Sequence, residues 1–333
     1  MDKSHDNLIR IGVGITLGLL CFYLALRRID FHEMLQAFKA ADYRYLISTP
    51  AIIFVSHFLR ALRWRYLLDP LRRLDLSNLF SSLIIGYAAN TLMPAHLGEF
   101  LRAYVLARKG RISMSPVFAT IVVERIIDVF SLLILMLLAL FLYPFPDWII
   151  QSAYIMLSGT ILILGFLLFL KKATLPTMKC VGLILKPFPD ALGQKAMGIL
   201  ETFVEGLLPM KRWHDYITLG SLSLIIWFCY GLVFYLCLYS FGFVELYDLD
   251  WTASLILLVV TTIAVVVPSS PGYVGTYHYL CQLALALFGI ASGPALSFAT
   301  VVHVIFFLPV LVLGVILGQH EGIAIMKLPG DRA

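Results

Sequence analysis

The chain has 333 residues, of which 60% are hydrophobic and 14% are charged. Soluble domains contain about 45–50% apolar and about 25% charged residues, so this composition excludes an ordinary soluble enzyme. The mean hydropathy of +0.90 and several long apolar runs indicate a polytopic membrane protein. Lys and Arg (25) exceed Asp and Glu (20) only slightly, which is typical of cytoplasmic loops and gives no support to nucleic-acid binding.

Apolar windows of about 20 residues predict about six membrane-spanning helices in an all-α fold. These spans lie at 8–26, 45–64, 116–142, 148–170, 216–241 and 294–318. Two further apolar segments, 76–108 and 251–289, are interrupted by the sequences MPAHLG and PSSPG. Because Pro and Gly break helices, each of these segments is predicted to form a re-entrant helical hairpin.

Basic residues near the span ends orient the chain, because Lys and Arg remain on the cytoplasmic side. Basic clusters occur at 60–73, at 108–111 and in the long segment 171–215. The links 144–147 and 245–250 contain no Lys or Arg and are predicted to face outward. The two hairpins therefore enter from opposite faces, both termini are cytoplasmic, and the link 27–44 is placed outside.

Interrupted segments at corresponding places in two halves are typical of inverted-repeat transporters. We therefore predict one integral membrane domain over 1–333. It consists of a first half (1–170) and a second half (216–333), joined by a cytoplasmic linker (171–215). Residues 188–208 of the linker have one apolar and one charged face, which predicts an amphipathic helix on the membrane surface.

Ionisable residues inside apolar spans are costly to bury and mark candidate functional positions. Glu124 and Asp128 lie one helical turn apart, so their carboxylates repel each other. We expect Arg125 to pair with Asp128, three residues further on. Glu124 is then left to pair with Arg102 or Arg63, or to carry a proton. An ion-pair network that only fixes helix packing is the alternative.

The return helix of the first hairpin begins after Gly98 and carries Glu99 and Arg102. A helix that begins inside a membrane directs free N–H groups at its surroundings, which suits an anionic group such as phosphate. Arg102 adds hydrogen-bond donors for the same oxygens, or it extends to the membrane interface. In the second hairpin, hydroxyl donors and glycines that allow close backbone approach are supplied by Ser269, Ser270, Gly272, Gly275 and Thr276.

Two further groups of residues have open interpretations. Arg60, Arg63 and Arg65, in the sequence RALRWR, are either interfacial anchors or the place where a lipid headgroup enters. The histidines at hairpin tips or in a span are either proton-relay groups or neutral packing residues. These are His96, His278 and His303.

Catalytic signatures are absent from the sequence. It contains no H-E-x-x-H, G-x-S-x-G or Walker motif and no metal-ligand spacing. We therefore expect a protein that is not an enzyme and that needs no cofactor or metal. Without an ATP site, transport is expected to be driven by an ion gradient or by the substrate gradient.

Four motifs occur in order along the chain: R-A-L-R-W at 60–64, Asn90 followed by P-x-x-x-G-E-x-x-R at 94–102, E-R-x-x-D at 124–128 and P-S-x-P-G-x-x-G at 268–275. Together they resemble the flippase-like, lysylphosphatidylglycerol synthase transmembrane region family over nearly the whole chain. The resemblance implies a multi-pass protein of the bacterial plasma (inner) membrane with re-entrant hairpins. It also implies movement of modified phospholipids or other lipid-linked groups between leaflets.

Three positions depart from the family pattern. His96 and His303 stand at or near positions where arginine is common, and His278 stands where many members carry glutamate. These departures leave the headgroup open. The sequence ends at Ala333 without a soluble aminoacyl-transfer domain, so we expect no synthesis of lysyl-lipid.

The leading hypothesis is translocation of an anionic or phosphate-bearing lipid headgroup, on a phospholipid or a polyprenyl carrier, which docks between the hairpin tips. The candidate binding residues are Arg63, Asn90, Glu99, Arg102, Glu124, Arg125, Asp128, Ser269, Ser270, Gly272, Gly275, Thr276 and His278. Two alternatives remain open: a proton-coupled carrier of a small solute, and a membrane scaffold for a separate lipid-modifying enzyme. The oligomeric state is left open.

Overall fold

A computed structural model describes residues 18–27, 29–93, 97–145, 213–266 and 270–323, together with residues 16, 150, 151, 154, 155, 157–159, 161, 162, 165, 169, 197 and 198. Within these residues all regular structure is helical. Nearly all of the predicted amphipathic helix 188–208 and of the linker 171–215 lies outside the described residues, as do His96 and Ser269.

The helices run in chain order as α1 (residues 18–26), α2 (Phe31–Ala40), α3 (Thr49–Leu68), α4 (Leu76–Leu92), α5 (Gly98–Gly110), α6 (Met114–Leu142), α7 (Trp213–Ser240), α8 (Phe243–Leu246), α9 (Trp251–Val266), α10 (Thr276–Ala286) and α11 (Ser292–His320), with 3-10 turns at Tyr43–Leu46 and Pro271–Tyr273. In the described part of the chain, α6, α7, α11 and α3 with its preceding turn are long and apolar enough to cross a membrane.

These helices confirm the predicted all-α polytopic architecture. Four of the predicted spans correspond to α3, α6, α7 and α11. The predicted span 8–26 is described as helix only at its C-terminal part, and most of the span 148–170 lies outside the described residues. The link 27–44, which is predicted to face outward, contains α2. This helix begins where Asp30 accepts hydrogen bonds from the backbone N–H groups of His32 and Glu33.

The first hairpin consists of α4 and α5, which pack against each other along their lengths. The contact near the tip depends on Gly98, because a Cβ there would overlap the carbonyl oxygen of Gly86 and would lie 2.6 Å from the backbone nitrogen of Asn90. At the other end of the hairpin, Lys109 Nζ donates to Ser81 Oγ over 2.7 Å. Residue numbers therefore run in opposite directions along the two helices, as a hairpin requires.

The second hairpin consists of α9 and α10. The break PSSPG ends at Gly272, so a return helix is expected from about Tyr273, but α10 begins at Thr276. Gly272 (φ +67°) and Gly275 (φ +92°) adopt left-handed backbone conformations, which end the helical path and produce a 3-10 turn instead. Gly275 also allows α1 to approach, because a Cβ on Gly275 would overlap the carbonyl oxygen of Gly18.

The tips of the two hairpins meet inside the molecule. A Cβ on Gly272 would lie 3.8 Å from the carbonyl oxygen of Thr91, and the 3-10 turn packs against α4. The long helix α11 packs against α4, α10, α2 and α3, so it connects the two hairpins. This arrangement places the ends of α4, α5, α9 and α10 around one central region.

Candidate functional site

A pair of arginines on α3 binds one carboxylate on α6. Arg60 Nη1 lies 2.8 Å from Asp128 Oδ2, and Arg63 Nη2 lies 2.6 Å from Asp128 Oδ1. Both arginines have further partners on α7, because Arg60 donates to the Tyr230 hydroxyl and Arg63 donates to Ser223 Oγ. Arg60, Arg63 and Asp128 are buried. Three helices are therefore joined by one charged contact.

The remaining α6 carboxylate pairs with the first hairpin. Glu124 lies about 15 Å along α6 from Met114, at 1.5 Å per residue, and is fully buried. Arg102 Nη2 lies 2.7 Å from Glu124 Oε2, which confirms one of the pairings that the sequence predicts. The guanidinium of Arg102 also stacks 3.7 Å from the ring centroid of Trp64, whose Nε1 donates to Thr120 Oγ1.

Arg125 is the most accessible arginine of the group. Its Nε lies 3.1 Å from Glu99 Oε1, and its Nη2 donates to the Tyr87 hydroxyl over 3.2 Å. The expected contact with Asp128 is present, since Nη1 lies 3.5 Å from Asp128 Oδ2. The Arg125 side chain is 35% exposed, compared with 3% for Arg102. Arg125 is thus the arginine that is best placed to meet a molecule from outside the cluster.

These residues form what we call the charge cluster: Arg60, Arg63, Glu99, Arg102, Glu124, Arg125 and Asp128. Its four arginines exceed its three carboxylates, so one positive charge is left without a carboxylate of its own. Buried charges are tolerated only when they are paired, so an excess charge at this depth calls for an anion. Glu124 Oε1 accepts no hydrogen bond from the described residues, but guanidinium nitrogens of Arg60, Arg63 and Arg125 lie 3.5–3.6 Å from it.

The buried position of the α3 arginines corrects one interpretation made from the sequence. Arg60 and Arg63 cannot be interfacial anchors, because Arg60 is 6% exposed and Arg63 is 0% exposed. The sequence RALRWR places them three residues apart on one face of α3, and this face points to Asp128. Arg65, on another face, is only partly buried.

A cavity of about 440 Å³ lies beside the charge cluster. Its polar wall includes Arg60, Glu99, Arg125 and Asp128, and Asn90 extends this wall along α4. The other cluster members do not line the cavity; they lie behind the wall and fix its geometry. The rest of the lining is mostly apolar and aromatic, with Trp227, Tyr230, Tyr273, Tyr277, Phe306 and Phe307 among its residues.

The candidates in the second hairpin lie around this cavity rather than in its wall. Ser270 Oγ donates to the Val274 carbonyl within its own turn, and Thr276 Oγ1 donates to the Tyr273 carbonyl. Gly275 faces α1. Gly272 belongs to the tip, and His278 is buried behind it. The turn and α10 meet the cavity through Tyr273 and Tyr277, and α9 meets it through residues such as Thr261 and Val265.

The histidine at 278 contacts a second histidine on α11. The ring centroids of His278 and His303 lie 4.9 Å apart. His303 Nε2 lies 2.7 Å from the Gly272 carbonyl oxygen, and the ring of Phe307 packs beside it at 4.7 Å. The two histidines therefore form a pair, buried at His278 and half-buried at His303, that is connected to the second hairpin tip.

Several cavity residues were missed by reasoning from the sequence. They are His57, Tyr87, Trp227, Tyr230, Tyr273, Tyr277, Phe306 and Phe307. Neutral aromatic residues in an apolar span look the same in sequence whether they face lipid, core or cavity. The one available signal was the tyrosine hydroxyl, because a buried hydroxyl needs a hydrogen-bond partner, and the arginines supply it to Tyr87 and Tyr230.

Comparison with known proteins finds archaeal relatives. A UPF0104 membrane protein of Methanothermobacter thermautotrophicus is 24% identical over 96% of this chain and 97% of that protein. A UPF0104 membrane protein of Methanocaldococcus jannaschii is 25% identical over 72% of this chain and 97% of that protein. The glycosyltransferase AglD of Haloferax volcanii is 29% identical over 37% of this chain and 20% of AglD. The bacterial membrane and the cytoplasmic termini stay predictions.

The family resemblance is confirmed over most of the chain. The lysylphosphatidylglycerol synthase TM region family matches residues 9–314. The matched segment contains the whole charge cluster, both hairpins and the histidine pair. The chain is a multi-pass membrane protein and belongs to the lysylphosphatidylglycerol synthase TM region family.

Proposed function

We propose that this protein translocates lipids that carry an anionic or phosphate-bearing headgroup between the leaflets of a membrane. The observation that carries the proposal is the excess positive charge of the charge cluster, in the wall of a cavity of about 440 Å³ between two hairpin tips. A headgroup with one negative charge would neutralise this excess. The geometry therefore favours an anion over a neutral or cationic solute.

Arg125 is the side chain proposed to contact the headgroup directly. It lines the cavity, is 35% exposed and is held by Glu99 and Tyr87. A phosphate oxygen at this position would receive a charge-assisted hydrogen bond, which is about twice as strong as a neutral one. Arg60 lines the same wall and adds a second guanidinium. Arg63, Arg102 and Glu124 are proposed to position this wall, since they do not line the cavity.

The apolar part of the cavity supports a lipid rather than a free ion. Besides the guanidinium groups, the lining contains apolar residues such as Val265, Phe306, Phe307 and Val310. A lining with both charged and apolar residues matches a headgroup joined to a hydrocarbon chain, with the chain remaining in the bilayer. A small polar solute would gain nothing from the apolar residues.

The relatives support a membrane lipid-related function. The family is named for lysylphosphatidylglycerol synthase, and AglD is named as a glycosyltransferase. We propose that the substrate of this chain is a phospholipid or a polyprenyl-linked headgroup. We also propose that the chain moves the lipid without changing its covalent structure, because its sequence carries no catalytic signature.

The proposal is tested in phosphatidylcholine vesicles with fluorescent phosphatidylglycerol as the probe, by following its accessibility to a membrane-impermeant quencher. Fluorescent diacylglycerol, which lacks the phosphate, can cross membranes without protein, so its rate is compared with that of empty vesicles. We expect the protein to accelerate only the anionic probe. Arg125→Gln should slow it by at least about tenfold, since one charged hydrogen bond contributes about 1.5–3 kcal/mol. Arg44→Gln, at an exposed ion pair, is the matched control and should have no effect.

Two outcomes would overturn the proposal. If phosphatidylglycerol moves no faster in vesicles with wild-type protein than in empty vesicles, the protein does not translocate this headgroup class. That result would favour the scaffold hypothesis. Equal acceleration by wild type and Arg125→Gln, with the variant as thermally stable as wild type, would remove the assigned role of Arg125.

A further inference from the structure

The tip of the second hairpin is held by a histidine. His303 Nε2 lies 2.7 Å from the carbonyl oxygen of Gly272. A carbonyl oxygen only accepts hydrogen bonds, so this nitrogen carries a hydrogen and donates it. The turn contains Tyr273, a non-glycine residue at φ +59°, a conformation that is maintained only by surrounding contacts. The His303 bond is one of these contacts.

A second imidazole lies against the first. The ring of His278 is 4.9 Å from that of His303, and both rings are largely buried. Among the described residues, His278 Nδ1 has no hydrogen-bond partner. A buried ring nitrogen without a hydrogen-bond partner costs free energy, because it has lost its hydrogen bonds to water. The pair therefore has a vacant position for a proton.

The surroundings of the pair are uncharged in the described part of the chain. The turn, α1, α4, α9, α10 and α11 contain no Asp, Glu, Lys or Arg among the described residues. Their other titratable side chains are Tyr273 in the turn, Tyr277, Tyr279 and Cys281 on α10, Cys21 and Tyr23 on α1, Tyr87 on α4 and His320 at the end of α11. The nearest of these rings, Tyr277, lies 5.4 Å from His303. Glu99 and Arg125 line the same cavity as Tyr273 and Tyr277. No described carboxylate forms an ion pair with either histidine.

We propose that His278 and His303 form a proton-binding site that couples proton binding to docking of the second hairpin tip, and thereby to lipid movement. This inference rests on the proposed translocation. A proton on His303 converts its bond to Gly272 into a charge-assisted bond, which is stronger than the neutral one. Docking of the tip and binding of the proton therefore favour each other, because linkage is reciprocal.

The position of the tip determines the shape of the cavity. Tyr273 follows Gly272 directly and Tyr277 contacts His303, and both tyrosines line the cavity. When the tip leaves, His303 loses its acceptor and the proton is released. Two cationic rings at this separation repel each other, so the pair takes up one proton before the second. Acid thus holds the tip docked, and loss of the proton frees it.

The test measures translocation of fluorescent phosphatidylglycerol between about pH 4.5 and 8, with equal pH on both sides of the vesicles. We expect the wild-type rate to fall as the pH is lowered, by up to about tenfold per pH unit across the transition. His303→Gln keeps a donor for Gly272 but cannot be protonated, so its rate should vary less than about twofold. His32→Gln, at an exposed imidazole bonded to Gln36, is the control and should keep the wild-type profile.

A second measurement does not depend on transport. Imidazole ¹⁵N chemical shifts of histidine-labelled protein in lipid nanodiscs report the protonation of each ring directly. We expect His278 and His303 to titrate together in wild type, and His303 to titrate in a single step at a different pH in His278→Gln. If the two rings titrate independently, and His278→Gln leaves the titration of His303 unchanged, the proposed shared proton site is overturned.

The outcomes separate this inference from the proposed function. If wild type moves no lipid at any pH, the proposed function fails, while the titration still decides whether the pair binds a shared proton. If wild type moves lipid and His303→Gln keeps the wild-type pH profile, translocation stands and the coupling inference is overturned.

Discussion

The two hairpins have the same architecture and opposite chemistry. Each consists of two helices joined at a break, and the two tips meet beside one cavity. The return helix of the first hairpin carries Glu99 and Arg102, which pair with α6. The second hairpin and α11 contain no Asp, Glu, Lys or Arg between residues 251 and 320. Apart from tyrosines and cysteines, the ionisable residues described in this region are His278, His303 and His320, and the rings of the first two lie 4.9 Å apart.

This difference indicates a division of roles between two similar structures. A hairpin fixed by two ion pairs to α6 is held firmly, because each buried charge is costly to separate from its partner. A hairpin held by neutral hydrogen bonds, such as those of His303 and Gln282, and by apolar packing is easier to displace. We infer that the first hairpin provides the fixed binding wall and that the second provides the wall that moves.

The largest expected effect comes from removing the carboxylate that joins the α3 arginines to α6. Asp128→Asn leaves Arg60 and Arg63 buried with an amide as their partner. Removal of one partner of a buried ion pair costs about 3–5 kcal/mol, so we expect a loss of this size in the free energy of unfolding. Unfolding in mixed detergent micelles with increasing sodium dodecyl sulfate measures it.

A double variant separates the charge effect from a packing effect. Arg60→Met combined with Asp128→Asn restores the excess of one positive charge, so we expect it to be more stable than Asp128→Asn alone. If the two substitutions are additive, the cluster does not act as an electrostatic unit, and the contrast between the hairpins loses its basis.

The second-largest loss of stability is expected at the glycines that both hairpins use for close contact with a neighbouring backbone. Gly98→Ala would force the methyl group against the Gly86 carbonyl, and Gly275→Ala would force it against the Gly18 carbonyl. Overpacking of this kind costs about 1–3 kcal/mol. We expect the larger loss at Gly275, because its φ of +92° is also unfavourable for alanine. Thermal unfolding in detergent measures both.

Gly220→Ala is the matched control for these two variants. No atom lies within 4 Å of a Cβ at this helical position, so the alanine should leave stability unchanged or raise it by about 0.5–1 kcal/mol. A loss at Gly220 equal to the loss at Gly98 would show that contacts at the tips are not the cause.

Much of this architecture was accessible from the sequence. Apolar length predicted four of the spans, and the breaks at MPAHLG and PSSPG located both hairpins. Charge repulsion between Glu124 and Asp128 led to the Arg102 and Arg125 pairings. These features are local, or they follow from the rule that a buried charge needs a partner.

What could not be predicted depends on packing between helices distant in sequence. The burial of Arg60 and Arg63 follows from the position of α7, which supplies Tyr230 and Ser223 from about 160 residues away. The approach of His303 to Gly272 likewise requires α11 to lie against the hairpin tip. Arginines near a span end look the same in sequence whether they face lipid headgroups or a buried carboxylate.

The smallest expected effect is at an ion pair outside the buried cluster. Arg44 Nη2 lies 2.7 Å from Asp42 Oδ2, as close as the buried pairs, but the Arg44 side chain is 86% exposed. Hydrogen bonds from Arg44 hold the pKa of the Asp42 carboxyl below its ordinary value, so this contribution to stability exists near neutral pH and is lost as the pH falls through the lowered pKa. Arg44→Gln should raise that pKa, which carboxyl NMR measures, and leave the melting temperature at pH 7 unchanged, since water screens the pair. A melting temperature reduced as far as in Asp128→Asn would mean that ion pairing itself, and not burial, makes the first hairpin rigid.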